Sequence, residues 1–275
     1  MAISEASSSG VSAPSLKVER DVYSYRSYIG SGKPVVVLDE IAESPSEPEL
    51  ALVRLHAELA SGADVAGVRE RLAAKVPACL SASGPSGPLI RSLAASLSLA
   101  VGEPAQALSL VRTGETMEQM SVEVAALLSI DRADLAAAAV NKMRAADDEA
   151  PLAVLAGAWL NQSSGPGKAN EAALAYAELT DKYGETQQLL TGLGAACMAA
   201  GRFEDAEGHL IKAASSGPAS DAVLANLIAC SRHTGKAAAS VKRLADELER
   251  DHARSPLAAA SSTARAAVAR VTGSA

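Results

Sequence analysis

The residues that most suggest chemistry are three glycine–lysine pairs: Gly32-Lys33, Gly167-Lys168 and Gly235-Lys236. A phosphate-binding loop needs another glycine five residues before the paired one, so that backbone amides can cradle the phosphates. It also needs a hydroxyl after the lysine. At the first pair those positions hold Ser27 and Pro34, at the second Gln162 and Ala169, at the third Cys230 and Ala237. None can build the loop, and each pair reads as a turn between helices. Gly192-Leu193-Gly194 begins a dinucleotide-type pattern, but no strand precedes it, and that chemistry requires strand, turn and helix in order. His56, His209, His233 and His252 have no metal-ligand spacing. His56, close to Arg54 and Glu58, is expected at a surface or an interface. Cys79, Cys197 and Cys230 form no CxxC, and their odd number argues against a disulfide framework and for a reducing compartment. Cys197 and Cys230 are expected to be small core residues, and Phe203 and Trp159 core anchors. Asp147-Asp148-Glu149 reads as a solvated helix end. Asn161-Gln162-Ser163 matches a glycosylation sequon that a cytosolic chain would not use. Nothing pairs a nucleophile with a base. The expectation is a protein that is not an enzyme, with no cofactor and no metal.

Composition narrows the classes further. The chain has 25 basic and 32 acidic residues, a net charge of −7, which disfavours binding to nucleic acid or directly to an anionic membrane. No uncharged apolar run reaches the ~18 to 20 residues needed to cross a bilayer, and the serine-rich stretch 1–17 lacks the basic start of a secretory signal. Hydrophobic residues make up 48%, yet the only aromatics are Trp159, Phe203 and five tyrosines. Alanine fills the difference. It favours helix and lets helices approach closely, which suits a stack of thin helical layers better than one deep core.

The elements that would position these residues follow from spacing. Gly167, Gly201 and Gly235 stand 34 residues apart, the tetratricopeptide period. Gly194 lies seven residues before Gly201, Ala206 five after it and Pro218 seventeen after it, where that repeat carries its packing glycine, packing alanine and terminal proline. The offset of five recurs from Gly167 to Ala172, from Gly102 to Ala107 and from Asp131 to Ala136. The sets Ala172, Ala175, Tyr176, Leu179 and Val241, Leu244, Ala245, Leu248 have the spacing of a helical stripe.

Breakers at Ser44–Pro48, Ser81–Pro88, Gly102–Pro104, Ser163–Gly167 and Ser255-Pro256 divide the chain. The predicted helices span roughly 18–30, 34–42, 48–60, 65–76, 88–101, 104–112, 116–129, 132–146, 150–161, 168–183, 186–200, 202–215, 219–233, 236–253 and 256–271, with ends good to ~2 to 4 residues. Val35-Val36-Val37 could form a strand but occupies a second-helix slot, so helix is preferred. The predicted fold is all-α: a tetratricopeptide-like, right-handed α-solenoid of antiparallel helix pairs over residues 18–275. Residues 1–17 would be a remnant of a first repeat or a flexible N-terminal segment.

Several collinear segments carry a resemblance. They are Val18–Tyr23 with Tyr25–Ile29, Val36–Ile41, Pro48-Glu49-Leu50, and Asp131-Arg132 with Asp134-Leu135-Ala136. Asn141-Lys142-Met143, Ala156 with Ala158-Trp159, Gly201–Gly208, Leu224–Ile228 and His252 with Ser255-Pro256 complete the set. From about residue 18 to 257 the chain resembles the epsilon subunit of the coatomer complex, plant type in particular. Family members carry a complete helix pair before the segment that matches Val18; here Ala2–Ala6 resembles only the end of its second helix. The resemblance implies a non-catalytic subunit of the COPI coat, acting in Golgi-to-ER and intra-Golgi transport. It would bind and stabilise the C-terminal region of the alpha subunit, and through it the rest of the coat. It would be cytoplasmic, reaching Golgi and vesicle membranes indirectly.

A repeat stack exposes a concave surface built from its first helices. The tetratricopeptide register places Val154, Gly157, Asn161 and Ser164 there, then Gln188, Thr191, Ala195 and Met198, then Ala222, Ala225, Ala229 and Arg232. The expected partner-binding residues are Val154, Asn161, Gln188, Thr191, Ala195, Met198, Ala225 and Arg232. This surface is small-residued and nearly uncharged, which favours a stably buried protein partner. The alternative is an adaptor clamping the C-terminal peptide of a chaperone, which needs several Lys, Arg or Asn groups converging on a carboxylate; only Asn161 and Arg232 qualify.

Overall fold

The computed structural model describes residues 14–273, and these form fifteen helices with no strand among them. In order they are α1 (Pro14–Gly30), α2 (Pro34–Glu40), α3 (Pro48–Ala60), α4 (Val65–Ser81), α5 (Gly87–Ala100), α6 (Pro104–Val111), α7 (Met117–Ser129), α8 (Ala133–Ala146), α9 (Pro151–Ser163), α10 (Pro166–Tyr183), α11 (Gln187–Ala199), α12 (Phe203–Ser215), α13 (Asp221–His233), α14 (Ala238–Asp251) and α15 (Pro256–Thr272). The all-α expectation holds, and the Val35–Val37 run is helical. The expectation for Ala2–Ala6 lies outside the described residues.

Starts and stops follow the sequence punctuation. Proline occupies the first or second position of eight of the described helices, at Pro14, Pro34, Pro48, Pro88, Pro104, Pro151, Pro166 and Pro256, where the missing N–H has no intrahelical partner to lose. Asp64, Thr116, Thr186, Ser220 and Ser255 cap their helices through side-chain oxygens. One stop recurs. After α11, Gly201 adopts φ 79°, its N–H donates to Met198 O at 2.9 Å, and Arg202 N–H donates to Cys197 O at 2.9 Å. This left-handed closure satisfies carbonyls that the helix end would leave bare. It repeats at Gly32, Gly62, Gly102 and Gly235, and at Asp131 (φ 57°).

Two expectations are corrected. Gly165 (φ 100°), not Gly167, makes the turn into α10; Pro166 then fixes the first helical residue, which leaves Gly167 inside the helix. And α4 continues through Pro77 to Ser81 instead of stopping near residue 76.

The described residues fall into two compact units, one ending at Ala146 and one beginning at Asp147. In the first, α1–α2, α3–α4, α5–α6 and α7–α8 pair, and the first helices α1, α3, α5 and α7 contact one another in succession. Its core holds Leu52, Leu72, Leu93, Leu97 and Leu110, all essentially inaccessible. Arginines close helix ends across pairs. Arg54 donates to the carbonyls of Leu38 and Ile41 after α2, Arg69 to Val101 O at 2.6 Å after α5, and Arg91 to Ala82 O at 2.7 Å after α4.

In the second unit α9–α10, α11–α12 and α13–α14 pair, and α15 packs on α13 and α14. Its core is smaller-grained: Ala158, Ala172, Ala196, Ala206 and Ala213 surround Leu190 and Leu210. Cys197 and Cys230 are buried there as expected, with Trp159 and Phe203 packed partly against them. A Cβ on Gly194 would stand 2.7 Å from Leu210 Cγ, and one on Gly192 2.4 Å from the Tyr176 ring, so both glycines are required by contact. At the open end, His252 is 2.9 Å from Ala219 O and Ser255 Oγ donates to Asp221 at 2.6 Å, tying the α14–α15 turn to α13.

Ala206 is fully buried at the α11–α12 crossing. Ala206→Leu is expected to destabilise the second unit by ~1 to 3 kcal/mol through overpacking; an unchanged thermal midpoint would contradict this crossing. Asp131→Gly is expected to stabilise the first unit by roughly 0.5–1 kcal/mol. It relieves a left-handed L-residue at the expense of greater freedom in the unfolded chain, and urea unfolding measures the sign.

Candidate functional site

The second unit carries an open groove of about 400 Å³. Its walls are Gln162 at the end of α9, Gln187, Gln188, Thr191 and Ala195 of α11, and Ser220 and Ala222 at the start of α13. Tyr176 and Gly192 also line it. The Tyr176 ring rests against the bare Cα of Gly192, and burial raises its phenol pKa, opposed by a hydrogen bond with Trp159. Gln187 donates to Ala213 O at 3.2 Å and Pro218 O at 2.9 Å, holding the loop after α12 against α11. Thr191 donates to Gln187 O at 2.6 Å, leaving its oxygen able to accept from a ligand. The groove presents amide and hydroxyl groups with no formal charge. It can hydrogen-bond a polypeptide backbone, and it holds no acid–base pair.

Three of the eight expected residues, Gln188, Thr191 and Ala195, meet in this groove. The other five lie outside its lining. Val154 is half-buried on α9. Asn161 donates to Glu171 of α10 at 3.3 Å. Met198 packs partly against the alanine-rich core, and Ala225 against Leu224, Ile228 and their neighbours. Arg232 is exposed in the last turn of α13. Asn161 and Arg232, the pair a carboxylate clamp would need, do not share the groove. Gly157, placed on the same surface by the register, is buried.

Gln162, Gln187, Gly192, Ser220 and Tyr176 join the groove without being marked for it by the repeat register. A cluster of uncharged amides at helix ends, and the N-cap serine before Asp221, are the signals that point to them.

In the first unit, Arg26 of α1 pairs with Glu118 of α7 at 2.5 Å, which joins the first and last of its four first helices. His56, expected at a surface or an interface, is half-buried between α3 and α5, with its Nε2 3.1 Å from Leu93 O and 3.2 Å from Ser96 Oγ. Sequence does not show this, because the partners are a main-chain carbonyl and a serine on a neighbouring repeat. Among the described residues no group of three His, Cys, Asp or Glu side chains could hold a metal ion, and no helix is long and apolar enough to cross a membrane.

Paired helices and crossings at single small residues define a class: all-α helical-repeat proteins of tetratricopeptide-like fold. Comparison with known sequences narrows it. The family profile described as Coatomer epsilon subunit matches residues 1–274, and the chain belongs to that family. Coatomer subunit epsilon-2 of Oryza sativa subsp. indica is 36% identical over 228 residues, covering 82% of this chain and 75% of the rice protein. Coatomer subunit epsilon-1 of Arabidopsis thaliana is 31% identical over 239 residues, covering 86% and 78%. Coatomer subunit epsilon of Caenorhabditis elegans is 29% identical over 241 residues, covering 87% and 81%.

The surroundings of His56 are expected to make the stability of the first unit depend on pH. Burial lowers its pKa from the ordinary 6.5, the Leu93 carbonyl opposes that shift, Arg26 adds to it and Glu118 offsets it. The folded state thus disfavours the imidazolium. Stability is whole above about pH 6.5 and declines as pH falls below it, by no more than about 1.4 kcal/mol per pH unit for one proton. His56→Gln, whose amide can still donate to Leu93 O, is expected to flatten the fall in thermal midpoint between pH 7.5 and 5.5. An identical fall in the variant would exclude His56 as its source.

Proposed function

We propose that this chain is a non-catalytic component of the COPI vesicle coat that binds and stabilises the C-terminal region of the coat's alpha subunit. In this role it serves Golgi-to-ER and intra-Golgi transport, resides in the cytoplasm and reaches membranes through the coat. Family membership and the names of the relatives, all coatomer epsilon subunits, support the coat assignment. The net charge of −7 fits indirect membrane association. The observation that carries the partner site is the meeting of Gln188, Thr191 and Ala195 in one groove with Gln162, Ser220 and Ala222. Uncharged donors and acceptors beside small side chains suit a protein segment that becomes buried, since each polar group can be paired without leaving a stranded charge.

The test is capture of a fragment spanning the C-terminal region of the alpha subunit, by the full chain and by the double variant Ala195→Glu, Ala222→Glu. Both sites are half-exposed groove residues, so circular dichroism should be unchanged. Capture should fall about tenfold or more, because a carboxylate buried without a partner costs more than the ~1.4 kcal/mol a tenfold change represents. Undiminished capture by the folded variant would place the partner elsewhere.

A further inference from the structure

The connection from α2 to α3 begins at a fixed point. Ile41 is buried, and Arg54 of α3 donates to the carbonyls of Leu38 and Ile41. Three residues later Ser44 is exposed. Pro45 follows it, and a residue before proline is held out of the helical region in an extended conformation. Ser44 stands at a bend of this anchored loop, exposed and outside any helix, where its hydroxyl is accessible to a transferase.

Ser44 and Pro45 also line a pocket of about 480 Å³ that Arg54, Glu58, Arg71 and Lys75 help to enclose. Its charges are unevenly matched. Glu58 carries both arginines, pairing with Arg54 at 3.3 Å and with Arg71 at 2.5 Å. Arg54 is further engaged by the two carbonyls. Arg71 is half exposed, and Lys75 has no ion-pair partner among the described residues. Glu43, the remaining carboxylate of the lining, makes no ion pair there either. The α4 wall therefore holds one cation without an ion-pair partner, Lys75, and a half-exposed Arg71 held by Glu58 and by the Gly67 carbonyl at 3.3 Å, on the same pocket as an exposed serine hydroxyl.

We propose that Ser44 is a phosphorylation site and that this pocket receives its phosphate. The donor is ATP on a proline-directed protein kinase. The bond from the γ-phosphorus to the β–γ bridging oxygen breaks, a bond to Ser44 Oγ forms, ADP leaves, and the hydroxyl proton passes to the kinase's general base. The product carries a charge of about −1.5 to −2 and three strong acceptor oxygens. Lys75 supplies donors directly. Arg71 can share its guanidinium between Glu58 and the phosphate, and such charge-assisted bonds are stronger than neutral ones. Phosphorylation would tie the α2–α3 loop to α4. Ser46, followed by Glu47 and absent from the pocket lining, has neither feature.

The experiment uses the full chain with a proline-directed kinase and ATP, and a synthetic peptide of residues 38–50 as the kinase control. Mass spectrometry locates the phosphate, and hydrogen exchange follows the amides of residues 41–44, 46 and 47. The expected result is modification of Ser44 in peptide and folded chain alike. Exchange in the loop should slow about tenfold, and the slowing should vanish in the double variant Arg71→Met, Lys75→Met. Modification of the peptide but not of the folded chain would overturn the acceptor assignment. Unchanged exchange, or equal slowing in the double variant, would overturn the pocket's role.

Discussion

Helices α11 and α12 cross so closely that a methyl group on Gly194 would stand 2.7 Å from Leu210 Cγ. Much of the second unit follows from that constraint. Partners at a crossing must be small, so Ala172, Ala206 and Ala213 are wholly buried and the core is built of alanine around a few leucines. Layers this thin bury little area each, so stability accumulates over many neighbouring contacts. The groove of this unit is lined mainly by its first helices. There the same demand for small residues at Gly192 seats the Tyr176 ring and shapes one corner of the groove.

The first unit meets its constraints differently. Its core uses larger aliphatic side chains, and its helix ends are closed by arginines reaching across repeats, at Arg54, Arg69 and Arg91. Gln119, fully buried, accepts from Glu115 N–H and donates to Pro88 O at 3.1 Å, a comparable clamp between α7 and α5. The arginine donors satisfy carbonyls that would otherwise be stranded at helix C-terminal ends, whereas Pro88 O, in the first turn of α5, also accepts from Ser92 Oγ at 2.9 Å. The Arg54 clamp also sets where the Ser44 loop leaves the body.

Local rules make much of this legible in sequence. Proline at helix starts, the left-handed residue at helix ends and the alanine five residues beyond it are decided within one repeat. Spacing alone accordingly finds Ala206, Ala172, Ala107 and Ala136, and all are buried. The same count places Asp131 correctly in a glycine slot. Features that depend on how one repeat sits on the next are not legible. The contacts of the half-buried His56 with Leu93 O and Ser96 Oγ of α5 are one such feature. The repeat register groups Asn161 and Met198 with Gln188 and Thr191, whereas the groove that holds Gln188 and Thr191 is lined by Gln162 and by neither of them. A period fixes which residues recur, not the rotation between successive helices, and a groove is made by that rotation.

The central claim is that the α9–α11–α13 groove is where another component of the coat docks. Site-specific photocrosslinking tests it most directly, with a photoreactive side chain at Thr191 inside the groove or at Leu174, exposed on α10. With the assembled coat, the account predicts a covalent adduct to the alpha subunit from position 191 and none from position 174. An adduct from position 174 alone would contradict it.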